Sequence, residues 1–380
     1  MSRRGRGEGS LWQRRDGRWE GRVQLGWSPD GRRQYRSIIA RTQLEAVARL
    51  KAVRDQVEDG LPVAPAGLTV GSYLKRWLAD ASPRLRPSTF TRYSGLVSEQ
   101  LIPQLGRVKL AKLTPSDVGR MMAEVQAGGL SARTASHCRA VLRAALSDAE
   151  RDGVIHRNVA RLSDAPHLAA PQPVVLSAGD VHNLLDACGD PGLRRLAVVA
   201  ITTGLRLGEQ LGLRWDDIDF ERRCLHVRTT LQRIAGAYSL SEPKSATSRR
   251  VVALPGSALE VLRDERREQL AAQLAAGGRW HQPIAGLIFT TGTGAPRSGT
   301  SLTHLFQDAL ASAGLPKLRW HDLRAAHGAL LLAGGTDISV VSRKLGHSSV
   351  SLTSRHYGGV ADALQQEAAD RLGVLLQRPS

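Results

Sequence analysis

Two proline-bearing breaks divide this 380-residue chain into three pieces whose hydrophobic periods differ, and that division bounds the folds open to it. The first break reads Gly60-Leu61-Pro62-Val63-Ala64-Pro65-Ala66-Gly67, where the prolines hold the backbone extended. The second runs from Pro166 to Pro173. The expected division is a domain at 1–60, a linker at 61–68, a domain at 69–165, a linker at 166–175 and a domain at 176–380. A chain of this length can give each domain its own core.

The first piece alternates. Trp19-Glu20-Gly21-Arg22-Val23-Gln24-Leu25 and Gln34-Tyr35-Arg36-Ser37-Ile38-Ile39 follow a shorter run at Leu11-Trp12-Gln13, and the Asp16-Gly17 and Asp30-Gly31 steps suit tight hairpin turns. From Thr42 the period lengthens, with Leu44, Val47, Leu50, Val53 and Val57 at helical spacing. Three strands and one helix are expected.

The second piece is helical throughout. Val70, Tyr73, Leu74, Trp77 and Leu78 form one apolar face, Pro87 opens a second helix, Thr114-Pro115-Ser116-Asp117 caps a third and Ser131 opens a fourth. In the third piece, helices are expected at 177–188 and 192–213, short strands near 224–231 and 249–254, and further helices to the end. The fold class is therefore multidomain and mainly α with small β elements: a three-stranded sheet plus helix, a helical bundle, and a mixed α/β domain.

Charge narrows the partner. Lysine and arginine total 53 against 35 acids, and only seven of the 53 are lysine. Guanidinium pairs with phosphate through two parallel hydrogen bonds and stays charged at any working pH, so an arginine-dominated surplus points to a polyphosphate. Cys138, Cys188 and Cys224 are scattered, which implies neither a disulfide framework nor a zinc site. No carboxylate and histidine cluster has metal-ligand spacing, and no cofactor or metal is expected. No apolar run reaches the length of a membrane span, so a cytoplasmic protein is expected.

Six residues of the third piece carry chemistry. They are Arg206 in Thr203-Gly204-Leu205-Arg206-Leu207-Gly208-Glu209, Lys244 in Pro243-Lys244-Ser245, His321 and Arg324 in His321-Asp322-Leu323-Arg324, His347 in Leu345-Gly346-His347, and Tyr357. A phosphodiester under attack gathers charge on its non-bridging oxygens, and two arginines, Arg206 and Arg324, meet that charge well. His321 stands three residues before Arg324, so on a helix both reach the same place, and imidazole can take or return a phenol proton near neutrality. Tyr357 is the expected nucleophile; its phenol, with a pKa near 10, is about one part in a thousand ionised at neutral pH and needs the base and cations beside it. Tyr238 lies in a polar hairpin and is the poorer choice.

The order and spacing of these residues resemble the tyrosine recombinase family, particularly phage-type integrases, from about residue 10 to about residue 360. The resemblance implies a site-specific recombinase that integrates or excises a mobile element or phage genome. It implies a 3′-phosphotyrosyl intermediate and a free 5′ hydroxyl, with no ATP and no metal. It casts Lys244, at the expected tip of a hairpin, as the acid that protonates the leaving oxygen, and His347 as a donor to the scissile phosphate, with Glu209 in support of Arg206. It implies double-stranded attachment sites as partner, a tetramer on DNA, association with the bacterial nucleoid, and an excisionase and a host bending protein as accessory factors. It also makes residues 1–60 an arm-type DNA-binding domain and 69–165 a core-binding, SAM-like domain. Arg14, Arg22, Arg32, Arg33 and Arg36 then become candidate contacts in the first, and Arg86, Arg92, Arg133 and Arg139 in the second.

Plainer readings stand beside these. Arg206 can serve only to pair with Glu209 one turn on, Lys244 can be an ordinary turn lysine, His347 can cap a helix, Tyr357 can pack, and the bundle arginines can be a solvated helix face. Where the family often has His-Thr after Arg324, this chain has Ala325-Ala326-His327, and His356 beside Tyr357 is either a perturbing neighbour or a surface residue. A stripe at Ala361, Leu364, Ala368, Leu372 and Leu375 makes a tail helix that docks on a neighbouring protomer or on its own. Two rival functions share the pattern: a DNA-binding regulator without catalysis, and a type IB topoisomerase.

Overall fold

A computed structural model describes residues 10–27, 31–58, 67–167, 176–234, 236–243, 248–346 and 349–350. Lys244, His347, His356, Tyr357 and the tail stripe lie outside the described residues. The chain divides into two compact units, Met1–Ala170 and Pro171–Ser380.

The first unit begins with β1 (Ser10–Gln13), β2 (Trp19–Trp27) and β3 (Arg33–Ala40), an antiparallel sheet in that order, followed by α1 (Gln43–Glu58). Alternation works as the sequence implies: Val23 and Ile38 turn to the helix and meet Leu50 and Val53. The register sets Arg22 opposite Ser37 and Val23 opposite Arg36. Arg22 thus stands on the solvent face, whereas Arg36 shares the face of Val23.

A helical bundle follows: α2 (Val70–Ala81), α3 (Pro87–Leu96), a π turn at Val97–Leu101, α4 (Ile102–Leu105), α5 (Pro115–Ala127), α6 (Ala132–Arg151) and α7 (Val159–Leu162). Its starts are the capped ones the sequence marks. Thr114 and Asp117 form a reciprocal capping box, as do Thr69 and Ser72, and Ser131 accepts from the Thr134 N–H. Leu74, Leu101, Leu142 and Leu146 fill the core, and the buried polar ends of its aromatics are satisfied, Tyr73 donating to Ala145 O at 2.9 Å and Trp77 to Asp148 at 2.8 Å.

The second unit contains α8 (Ala178–Asp186), α9 (Pro191–Thr203), α10 (Leu207–Leu211), β4 (Ile218–Asp219), β5 (Cys224–Val227), β6 (Thr230–Ile234), β7 (Ala237–Ser241), β8 (Arg250–Ala253), α11 (Gly256–Ala276), α12 (Gly299–Ser312), α13 (Trp320–Ala333) and α14 (Ile338–Leu345). Strands β4, β5 and β8 form one antiparallel sheet and β6 with β7 a separate hairpin. Helices α9 and α13 share the core through Leu196, Ala200 and Leu323. No described helix is long and apolar enough to cross a membrane.

Two expectations change here. The single helix at 192–213 is two helices, because Gly204 takes the left-handed conformation (φ 66°) and ends α9. The strand near 224–231 is also two, β5 and β6, which belong to different sheets. In the β6–β7 hairpin Ile234 pairs with Ala237; the expected hairpin tip at Lys244 lies outside the described residues.

Candidate active site

The break at Gly204 places Arg206. The residue is not inside an apolar helix as the sequence implied; it is the N-cap of α10, with extended backbone and a side chain 40% exposed. Glu209, 4% exposed, fixes it in two ways, accepting from the Arg206 N–H through Oε2 at 2.9 Å and from Nη1 through Oε1 at 2.8 Å. The pairing that offered a plain explanation for Arg206 is present, and it aims the guanidinium.

Arg324 lies one turn into α13 and is 3% exposed. Its Nη1 donates to Gly204 O at 2.6 Å and its Nη2 to Leu345 O. One buried cation thus ties the segment before Arg206 to the end of α14, just ahead of Gly346 and His347. Gly346, with φ 63°, ends that helix as Gly204 ends α9.

His321, in the first turn of α13, sits with both arginines. The residue is exposed to solvent, yet partial desolvation lowers its basicity first, and the charges of Arg324 and Arg206 lower it further. An imidazole held neutral beside two cations is suited to receive a proton. Burial alone would push the Glu209 carboxyl up, but the Arg250 hydrogen bond and charge, with Arg206, outweigh it and hold Glu209 below its usual range. It therefore stays an anion where the guanidinium needs one.

One residue beside this group, Arg250, escaped the sequence reading, and another, His327, was noted there only as a departure. Arg250 makes a buried ion pair with Glu209 at 2.9 Å, the two side chains 7% and 4% exposed. His327 is buried, its Nδ1–H donating to Ile201 O at 2.7 Å, while Nε2 has no hydrogen-bond partner among the described residues. Burial and the nearby Lys344 charge bring its pKa down to about 4. A signal for Arg250 existed: on a strand it is in phase with the buried Val252, while Val251 between them is 58% exposed.

The remaining candidates divide. Arg139 donates to Ser163 Oγ at 3.1 Å and to Ser163 O at 2.5 Å, so it clamps the chain after α7. Exposed Arg92 lies against the His137 ring, whose basicity falls through burial and then through Arg92 and Arg133, which groups the three where α3 meets α6. Arg86 is exposed at the N-cap of α3. Arg14 pairs with Glu20 at 3.0 Å, and Arg32 and Arg33 are exposed before and at the start of β3.

Residues 175–363 match the Phage integrase family, and residues 69–123 match the Phage integrase, N-terminal SAM-like domain. The chain is 31% identical to an integrase of Streptomyces ambofaciens over 363 residues, covering 93% of each. This chain belongs to the phage integrase family. Its fold is also that of solved integrases. The Tn1549 transposon integrase, in complex with a circular intermediate DNA, superposes with a TM-score of 0.68 at 21% identity, over 79% of this chain and 99% of that one. A lambda integrase from a tetramer bound to a Holliday junction gives 0.60 at 19% identity, over 93% and 96%. As a phage integrase family member the chain is a tyrosine site-specific recombinase, and neither the regulator nor the topoisomerase reading is favoured.

Proposed function

We propose that this recombinase cuts DNA with Tyr357 as nucleophile, joins its phenolic oxygen to the 3′ phosphate, and frees a 5′ hydroxyl that later attacks in reverse on a new partner strand. The single observation that carries the reading is that Arg324, one turn along α13 from His321, donates to Gly204 O two residues before Arg206, which Glu209 holds. His321 takes the phenol proton; Arg206 and Arg324 meet the charge on the non-bridging oxygens; His347 adds a donor; Lys244 protonates the leaving 5′ oxygen. The phosphate ester bond is exchanged rather than hydrolysed, so no ATP is consumed.

The assembly is a tetramer on paired double-stranded attachment sites, a reading supported by the lambda tetramer. Residues 1–60 act as the arm-type domain and 69–165 as the core-binding domain, joined by the linker at 61–68. Arg22, Arg32 and Arg33 reach arm DNA, and Arg86, Arg92 and Arg133 reach the core site. An excisionase and a host bending protein set direction, and the protein works in the cytoplasm at the nucleoid.

The test uses unsubstituted and Tyr357→Phe protein with DNA fragments tiled across the flanks of its own gene, in EDTA, quenched with detergent. A protein-linked 3′ end is expected only with the unsubstituted chain. Tight binding by both without any adduct would contradict the reading.

A further inference from the structure

Arg250 opens β8 yet serves no pairing that a sheet requires of a side chain. All three guanidinium nitrogens are engaged: Nε donates to Lys344 O at 2.8 Å, Nη1 to Ser248 O at 3.1 Å and Glu209 Oε1 at 3.3 Å, and Nη2 to Glu209 Oε2 at 2.9 Å. The same two carboxylate oxygens hold the N–H and Nη1 of Arg206. Lys344 is followed by Leu345, whose carbonyl takes Arg324, and then by Gly346 and His347. One side chain therefore links the anion behind Arg206 to the helix end that leads to His347.

We propose that Arg250 is a positioning residue for DNA cleavage, setting Arg206 through Glu209 and setting the exit of α14 through the Lys344 carbonyl. The inference rests on the function proposed above. A buried carboxylate without a partner takes up a proton or draws in water, and either change releases its grip on Arg206. Electrostatic stabilisation of a transition state depends on donors fixed beforehand, so a small drift of Arg206 costs rate without costing DNA affinity. Lysine cannot stand in, because its three N–H donors radiate from one nitrogen and do not span the Lys344 and Ser248 carbonyls and both Glu209 oxygens as the planar guanidinium fork does.

The experiment compares full-length unsubstituted protein with Arg250→Lys on the tiled fragment that yields an adduct, made once with the natural scissile phosphate and once with a methylphosphonate there. The methyl group removes the negative charge that Arg206 meets. Single-turnover cleavage of natural DNA by Arg250→Lys is expected to fall on the order of 100-fold, with binding affinity and melting curve near those of the unsubstituted chain. On methylphosphonate DNA that gap should narrow, and combining Arg250→Lys with Arg206→Ala should add little to Arg206→Ala alone. If Arg250→Lys loses its cooperative melt, Arg250→Gln, which keeps a donor for Lys344 O, enters the same two-substrate comparison. An undiminished gap on methylphosphonate DNA, or full-rate cleavage of natural DNA, overturns the inference and leaves the function standing. No adduct from the unsubstituted protein overturns both.

Discussion

Arg22 in the N-terminal sheet and Arg250 in the catalytic unit are the same residue type, each on a strand and each followed by valine, yet their surroundings are opposite. Arg22 stands on the open face of β2 with its guanidinium 5.4 Å from the centre of the Tyr35 ring. Arg250 is buried, with a carboxylate and two backbone carbonyls around it. An exposed guanidinium has its full reach for a phosphate and its hydration to exchange; a buried one has surrendered both in return for fixed geometry. In an arginine-rich chain, burial and partners therefore separate the cations proposed to draw DNA in from those proposed to hold a reacting centre still.

The sharpest way to break this contrast is Glu209→Ala. Removing the anion leaves the Arg250 charge buried without its partner, which typically costs about 3–5 kcal/mol. The melting transition of the catalytic unit should drop accordingly; an unchanged transition would mean that the pair is solvated.

His327 extends the comparison to pH. Its folded pKa of about 4 lies below the ordinary 6.5, so between those values the unfolded chain binds the proton that the folded chain refuses. Stability contributed by the neutral ring is complete above pH 6.5 and is lost as pH falls toward 4, on the order of 3 kcal/mol in all. Denaturant titrations across that window should show the decline, and His327→Gln should flatten it.

The smallest effect belongs to the exposed side. Arg22→Ala should leave the cleavage rate of bound DNA unaltered and lower the slope of log K against log salt by about 0.9, the value for one phosphate. Filter binding at several salt concentrations measures it, and a rate loss in Arg22→Ala would erase the distinction between the two regions.

Local chemistry explains what was legible in the sequence. The helix starts at Thr114 and Ser131 were readable because a cap is decided by residues three apart, the start at Pro87 because proline suits the first helical position, and the N-terminal strands because alternation and Asp-Gly turns are short-range signals. The break at Gly204 was hidden by the apolar run through Leu205, Leu207 and Leu211, which continues a helical period that the backbone abandons. Arg206, His321 and Arg324 were singled out through their motifs, and the structure brings them together. Arg250 was missed because its partners are 41 and 94 residues away, Glu209 and the Lys344 carbonyl, and no local pattern announces them. His327 was noticed only as a departure after Arg324, since its partner, the Ile201 carbonyl, is 126 residues upstream.

In the proposed reaction the Tyr357 phenol becomes covalently joined to DNA. The most direct measurement is to digest the detergent-resistant adduct with protease and nuclease and sequence the nucleotide-bearing peptide by mass spectrometry. The account predicts a nucleotide 3′-phosphate on Tyr357; a nucleotide on Tyr238 or on any other residue would contradict it.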